Sequence, residues 1–145
     1  MLKLSTKGRY GLRAMIDLAM AYNESHTPIM MSEIAERQAL SRKYLHALLT
    51  PLKNAGLVKS ARGAKGGYYL SKSPSEITIG EILETLEGEM SIVDCISDAI
   101  ECDRSANCLA KGVWEELNQA IVRLLNNVTL HTLICNGTPH KENQL

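Results

Sequence analysis

The chain has 145 residues, 45% of them hydrophobic, with no Phe and one Trp, so one core of Leu, Ile, Val, Met and Ala side chains is expected. No apolar run reaches 18 residues, and Arg13 and Asp17 interrupt the apolar residues of the basic N-terminus at helical spacing; neither a membrane span nor a signal peptide is expected, and a cytoplasmic protein with reduced thiols is. The 16 basic and 16 acidic residues cancel, yet residues 1–72 hold 12 Lys and Arg against 4 Asp and Glu, a net of +8, and residues 73–145 hold 4 against 12, a net of −8, a polarity that points the basic half at a polyanion.

Leu12, Met15, Ile16, Ala19 and Met20 repeat at helical spacing and predict a first amphipathic helix near 7–23, broken at His26-Thr27-Pro28. Ser32 is the expected cap of a short second helix over 33–38, and Ser41, after the turn Ala39-Leu40, caps a third that ends by Gly56, with Pro51 kinking or dividing it. Two β-capable runs, 57–62 and 68–71, flank the glycine-rich tip 63–67 and read as a hairpin. Pro74 and Ser75 mark a boundary, and Thr78 with Glu81 forms a capping box for a helix over 79–87 that stops at Gly88. Residues 89–108 are acidic and aperiodic, and read as a loop. The last long helix, 109–127, carries Val113, Trp114, Leu117, Ile121, Leu124, Leu125 and Val128 at near coiled-coil spacing. Thr129 caps a final turn through Ile134, and the polar tail from Asn136 is expected to be disordered.

Two short helices joined by a tight turn and followed by a hairpin imply a winged helix-turn-helix: a mainly α fold with a small β wing and a long C-terminal dimerisation helix. The expected division is 1–72 for the nucleic-acid-reading region and 73–145 for the loop, the dimerisation helix and the tail. In the third helix Leu45, Leu48, Leu49 and Leu52 face inward, while Arg42, Lys43, His46 and Ala47 face outward near the end that can reach base edges. Arg and Lys donate to guanine acceptors, and a small Ala allows close approach or contact with a thymine methyl. At the hairpin tip, Arg62, Gly63 and Lys65 suit a narrow, electronegative minor groove. Ser41 and Tyr44 complete the expected contact set. Lys3, Lys7, Arg9 and Arg13 suit phosphates at most.

Several stretches resemble one known family: Leu4-Ser5-Thr6-Lys7-Gly8-Arg9-Tyr10-Gly11, Tyr44-Leu45, Leu52-Lys53-Asn54-Ala55-Gly56-Leu57-Val58, and Arg62-Gly63-Ala64-Lys65-Gly66-Gly67-Tyr68. Together they are similar to the IscR-like iron–sulfur regulators from about Met1 to Ile134. The resemblance implies a homodimer on long pseudo-palindromic promoter sites in double-stranded DNA, with Arg42, Lys43, His46 and Ala47 toward the groove, Arg62 as the wing arginine, and RNA polymerase as a possible partner. Where regulators of this family that switch between two classes of site carry Glu, this chain has His46. A cluster-free relative, the repressor of cysteine metabolism, matches the first 90 residues almost as well.

Cys95, Cys102 and Cys108 separate the two alternatives. Their spacing, C-x6-C-x5-C, matches the family's cluster loop and implies an iron–sulfur cluster, [2Fe–2S] by resemblance. Soft thiolates on a flexible chain suit iron, whereas zinc sites use tighter C-x2–4-C pairs. Zinc, metal-free thiol sensing and structural cysteines stay open. The family's usual fourth ligand, a His three residues after the third cysteine, is replaced by Lys111, whose ammonium has no lone pair to donate. Asp94, Asp98, Glu101, Asp103, His131, Cys135 or a partner subunit's group remain as candidates. No nucleophile–base pair, phosphate-binding loop or carboxylate constellation supports catalysis, and no enzyme is expected. The expected function is a transcription regulator sensing cluster status and controlling cluster-assembly genes as activator or repressor; the alternative is a thiol- or metabolite-responsive repressor of sulfur metabolism.

Overall fold

A computed structural model describes residues 3–97, 102–104 and 106–136. Helix α1, Thr6–Glu24, starts where Ser5 Oγ accepts from the Gly8 amide, and it buries Ala14, Met15, Leu18 and Ala19 along one face. It ends just before the predicted break at His26. Helix α2, Met31–Gln38, begins earlier than expected, and Ser32 is not its cap. Ile29 is held extended by two hydrogen bonds with Tyr68, at 2.9 and 2.8 Å, so the chain can turn helical directly after Met30. The Glu33 carboxylate then reaches back to accept from the Met30 amide at 3.1 Å, which replaces a capping hydroxyl.

Helix α3, Arg42–Asn54, opens with Ser41 Oγ accepting from the Tyr44 amide at 3.1 Å. Pro51 does not divide it, contrary to one expectation. The missing N–H leaves only the carbonyl of Ala47 without its helical donor, and Ala47 is exposed, so water can supply one. Gly56, with φ +78°, closes the helix as predicted.

Strands β1, Val58–Ala61, and β2, Gly67–Leu70, pair antiparallel with Val58 opposite Leu70 and Ala61 opposite Gly67. The bridge from Ile29 to Tyr68 adds a third short edge. Gly67 is required here: at φ +148° any Cβ would run into the Ile29 carbonyl. The wing is thereby fastened to the entry of α2, and so to the helix-turn-helix itself.

A 3₁₀ turn, Pro74–Glu76, leads to α4, Ile79–Glu87, whose Thr78–Glu81 capping box forms as predicted, at 3.1 and 2.9 Å. The segment read as an aperiodic loop contains one helical turn, α5, Asp94–Ser97, which packs on α6, Lys111–Asn127. Asn118 Oδ1 of α6 accepts from the Ile92 amide at 3.1 Å and anchors the entry to α5. Too short to show a period, such a turn is stabilised by its neighbour rather than by propensity. α6 starts later than expected because Lys111 N bonds the Cys108 carbonyl in a preceding turn. Thr129 caps α7, Leu130–Asn136, as expected, and this helix outlasts the single turn predicted. The expected tail beyond it, 137–145, lies outside the described residues.

One core joins the basic and acidic halves. Met15 and Leu18 of α1, Ile34 of α2, Leu45 and Leu49 of α3, Ile82 and Leu83 of α4 and Leu130 of α7 share it, each at most 2% exposed. Hydrogen bonds from Ile79 N to Val128 O (2.9 Å) and from Leu130 N to Ile77 O (3.0 Å) pin the α6–α7 junction beside the start of α4. α6 buries none of its residues, although its second half packs on α4.

Candidate nucleic-acid interface and cysteine segment

Amphipathicity decides what α3 offers to solvent. With Leu45, Leu48, Leu49 and Leu52 all 0% exposed, the helix cannot rotate, and Arg42, Lys43, His46 and Ala47 are necessarily presented outward. Thr50 Oγ1 donates to the His46 carbonyl at 2.7 Å and lies 3.5 Å from His46 Nδ1, so the imidazole has a neighbour on its own helix. Tyr44, placed in the expected contact set, is half-buried and turned toward α1. Its hydroxyl donates to Thr6 Oγ1 at 3.4 Å, and its ring meets Tyr10 edge-on at 6.2 Å. It braces the first turn of α3 against α1.

At the wing, Arg62, Gly63 and Lys65 are exposed, and the tip is closed by Gly66 N bonding the Gly63 carbonyl at 3.0 Å. Between α3 and β1 runs an open cleft lined by Lys53, Lys59, Ser60, Arg62 and Tyr69. Lys53 Nζ donates to Ser60 Oγ at 2.7 Å across it. Sequence reasoning missed Lys53, Lys59 and Ser60. The only signal was the charge of the two lysines near a turn, because the cleft exists only once the hairpin folds back beside the helix.

The electrostatics of this face are one-sided. Among the described residues the ion pairs are Arg37–Asp17, Lys72–Glu81 and Lys111–Glu115, and none involves Arg42, Lys43, Lys53, Lys59, Arg62 or Lys65. Two of the acids in this half are engaged elsewhere: Asp17 accepts from Gln38 at 2.8 Å, and Glu33 is committed to the start of α2. An uncompensated cationic strip therefore runs from the head of α3 over the cleft to the wing.

Cys95 and Cys102 are half-buried, Cys108 is exposed, and all are free thiols. No three His, Cys, Asp or Glu side chains converge among the described residues. The donor chemistry nonetheless fits an iron–sulfur cluster: three free thiols, none of them buried, lie within fourteen residues of sequence. Lys111, which stands where the family's usual fourth ligand is expected, pairs with Glu115 at 3.9 Å. Asp98 and Glu101 lie outside the described residues. His131 and Cys135 adjoin one another on α7, with Sγ 3.5 Å from Nε2, both exposed.

A helix-turn-helix with a hairpin wing and an unpaired cationic face defines a winged helix-turn-helix regulator. Over residues 4–136 the chain matches the family described as Rrf2, iron-dependent transcriptional regulator. It is 37% identical to protein rrf2 of Nitratidesulfovibrio vulgaris, over 96% of this chain and 98% of that one. Two solved structures are similar: CymR, the global cysteine regulator of B. subtilis, at 42% identity and TM-score 0.77 over 92% of this chain and 96% of that one, and T. potens IscR, at 39% and 0.73 over 99% and 92%. The chain belongs to the Rrf2 family of DNA-binding transcriptional regulators and is not an enzyme. No described helix is long and apolar enough to cross a membrane.

Proposed function

We propose that this regulator binds promoter DNA as a homodimer and senses iron–sulfur supply through Cys95, Cys102 and Cys108, with cluster-assembly genes as its targets. The observation that carries the sensing half is the group of three free thiols between α4 and α6, none of them buried in the core. The likeness to T. potens IscR supports it. These three residues would hold the cluster, a [2Fe–2S] one by family resemblance, with the fourth ligand unassigned. When bound, such a group supplies a soft, redox-active and oxygen-labile centre.

In the DNA-binding half, Ser41 fixes the start of α3, Tyr44 braces it, and Arg42, Lys43, His46 and Ala47 meet base edges in the major groove. Arg62, Gly63 and Lys65 enter the adjacent minor groove. The phosphate strand separating two such grooves must then pass over the cleft between helix and wing, where Lys53, Lys59 and Ser60 wait. The exposed apolar side chains of α6 support a second copy as the partner there. A cytoplasmic location and contact with RNA polymerase accord with this role.

Residues 89–108, once tethered at three sulfurs, lose freedom and bear differently on the rest of the fold. A ligand shifts DNA preference only by its differential affinity for two states of the protein. Anaerobic treatment with iron(II) and sulfide, followed by iron and sulfide analysis and an absorbance spectrum, tests the reading. A coloured dimer is expected, bleached in Cys102→Ala with dimerisation retained, and footprints of the two forms should differ. A colourless protein at saturating iron and sulfide sinks the cluster.

The competing input is a thiol- or metabolite-responsive, cluster-free repressor of sulfur metabolism. It is favoured by the likeness to CymR and by the three cysteines standing apart among the described residues. It predicts iron-free protein whose footprint nevertheless responds to thiol state.

A further inference from the structure

The first turn of α1 is held from across the fold. One oxygen of Glu87, the last residue of α4, accepts from Ser5 N (3.0 Å), Ser5 Oγ (2.7 Å) and Gly8 N (3.1 Å). A carboxylate there satisfies amides that have no partner inside the helix and complements the positive end of its dipole. The approach is close: a Cβ on Gly8 would meet the carboxylate end of Glu87, and one on Gly11 a methyl of Leu86, so a side chain at either position would make those ends shift. The glycines of Gly8-Arg9-Tyr10-Gly11 leave room for the Glu87 and Leu86 side chains as the end of α4 lies against α1.

Each side of this contact leads somewhere. Between Ser5 and Gly8 sits Thr6, which accepts from Tyr44, and Tyr10 one turn on meets the same ring. Tyr44 adjoins Arg42 and Lys43. On the other side Gly88, at φ +83° in open space, opens the segment that carries Cys95, Cys102 and Cys108. A glycine in that conformation can swing without a steric penalty. Glu87 thus stands one residue from the cysteine segment and within a short chain of hydrogen bonds of α3.

We infer that Glu87 is the positioning residue through which the state of the cysteine segment reaches the DNA-reading face of α3. While Glu87 holds Ser5 and Gly8, Thr6 stays under Tyr44 and Arg42 and Lys43 keep a fixed bearing. When rearrangement past Gly88 withdraws it, Gly8 N keeps only the longer bond to Ser5 Oγ (3.4 Å), Ser5 loses both of its bonds to Glu87, and that bearing loosens. The inference rests on the proposed function, in which α3 meets DNA and the cysteine segment is the input. Spatial intermediacy alone does not establish coupling; an energetic cycle does.

The test uses the full chain on a promoter duplex at fixed salt, comparing Kd before and after iron(II) and sulfide treatment for wild type, Glu87→Gln, Tyr44→Phe and the double variant. Circular dichroism first confirms that each is folded. Glu87→Gln keeps an acceptor but no charge, and is expected to shrink the treated-to-untreated Kd ratio by about 3-fold or more. Tyr44→Phe should do the same, with the double variant no worse than either single one. If Glu87→Gln weakens both forms equally and leaves the ratio intact, the residue is merely structural and the inference is overturned. A second readout needs no metal: in a Cys135→Ser background, where only the loop thiols remain, capping with iodoacetamide should change amide exchange at Gly8 but not when Glu87→Gln is added. Should wild type show no ratio at all, the cluster-sensing reading fails. The inference then stands if alkylation changes Gly8 exchange and falls if it does not.

Discussion

In α3, Leu45, Leu48, Leu49 and Leu52 follow one another along a single face, and each is 0% exposed. In α6, Val113, Trp114, Leu117 and Leu124 do the same, at 60, 39, 47 and 58% exposed. Both stripes have helical spacing and similar apolar character, yet one is core and the other surface. The difference lies in what surrounds them. α3 is enclosed by α1, α2, α4 and β1, whereas α6 touches the body through α4 and α5, and only Leu125 and Val128 near its end pack on the core. Periodicity states which residues gain from leaving water, not what removes them from it. For α6 the proposed remover is a second copy.

The largest expected effect follows from the enclosed stripe. Leu48→Ala leaves a void among close-packed neighbours and should cost about 2–5 kcal/mol of stability, a large share of what a small domain has. A denaturant titration measures it. If the loss is under about 1 kcal/mol, α3 is not held as tightly as its burial implies. The matching change in α6, Leu117→Glu, should leave the protomer fold and its circular dichroism intact, because that side chain is 47% exposed and takes no part in the core. Sedimentation equilibrium should instead show monomer where wild type is dimeric, and affinity for a two-half-site duplex should fall more than affinity for a half-site. A dimer that survives Leu117→Glu would assign the exposed stripe to some other partner.

How much of this comparison could be read in advance depends on the range of the cause. The caps at Ser41 and Thr78, the left-handed Gly56 and the inward leucines of α3 are local consequences of residues a few positions apart, and each stands where the sequence put it. The early start of α2 was missed because its cause, Tyr68 pairing with Ile29, lies far along the chain. The turn Asp94–Ser97 was missed because it leans on α6 and has no period of its own. Of the candidate interface, the outward residues of α3 and the wing tip were legible from the helical period and the glycines. Lys53, Ser60 and the brace through Tyr44 were not, since each needs two elements side by side. The glycines at 8 and 11 were visible as a motif while their reason, Glu87 and Leu86, was invisible. The cysteine spacing was likewise legible, and the ligand set was not.

A smaller effect separates reading from gripping within the basic half. Arg42→Gln removes a donor presented at the head of α3, and is expected to cost about 1–3 kcal/mol on the preferred duplex and to relax selection at one base position in each half-site. Selection from a randomised duplex pool followed by anisotropy measures both. An equal loss on all sequences would move Arg42 from the bases to the backbone.

Lys59 offers the finest cut. It is exposed on β1, beside Lys53 in the cleft, with no ion pair among the described residues, so its charge is free to displace counterions from a phosphate. Lys59→Gln should weaken preferred and random duplexes by the same factor and leave the selected sequence unchanged. The slope of log K against log salt should become shallower by about 0.9 for each phosphate no longer neutralised, or about twice that for a dimer in which each copy releases one. The stability of the protein should hardly move, because a solvated lysine contributes little to folding. This combination is diagnostic: a residue reading bases changes preference, a residue supporting the fold changes Tm, and only a residue on a phosphate changes the salt slope alone. If the slope of Lys59→Gln equals that of wild type, the duplex does not cross the cleft, and the wing must approach DNA from a different side than the head of α3 implies.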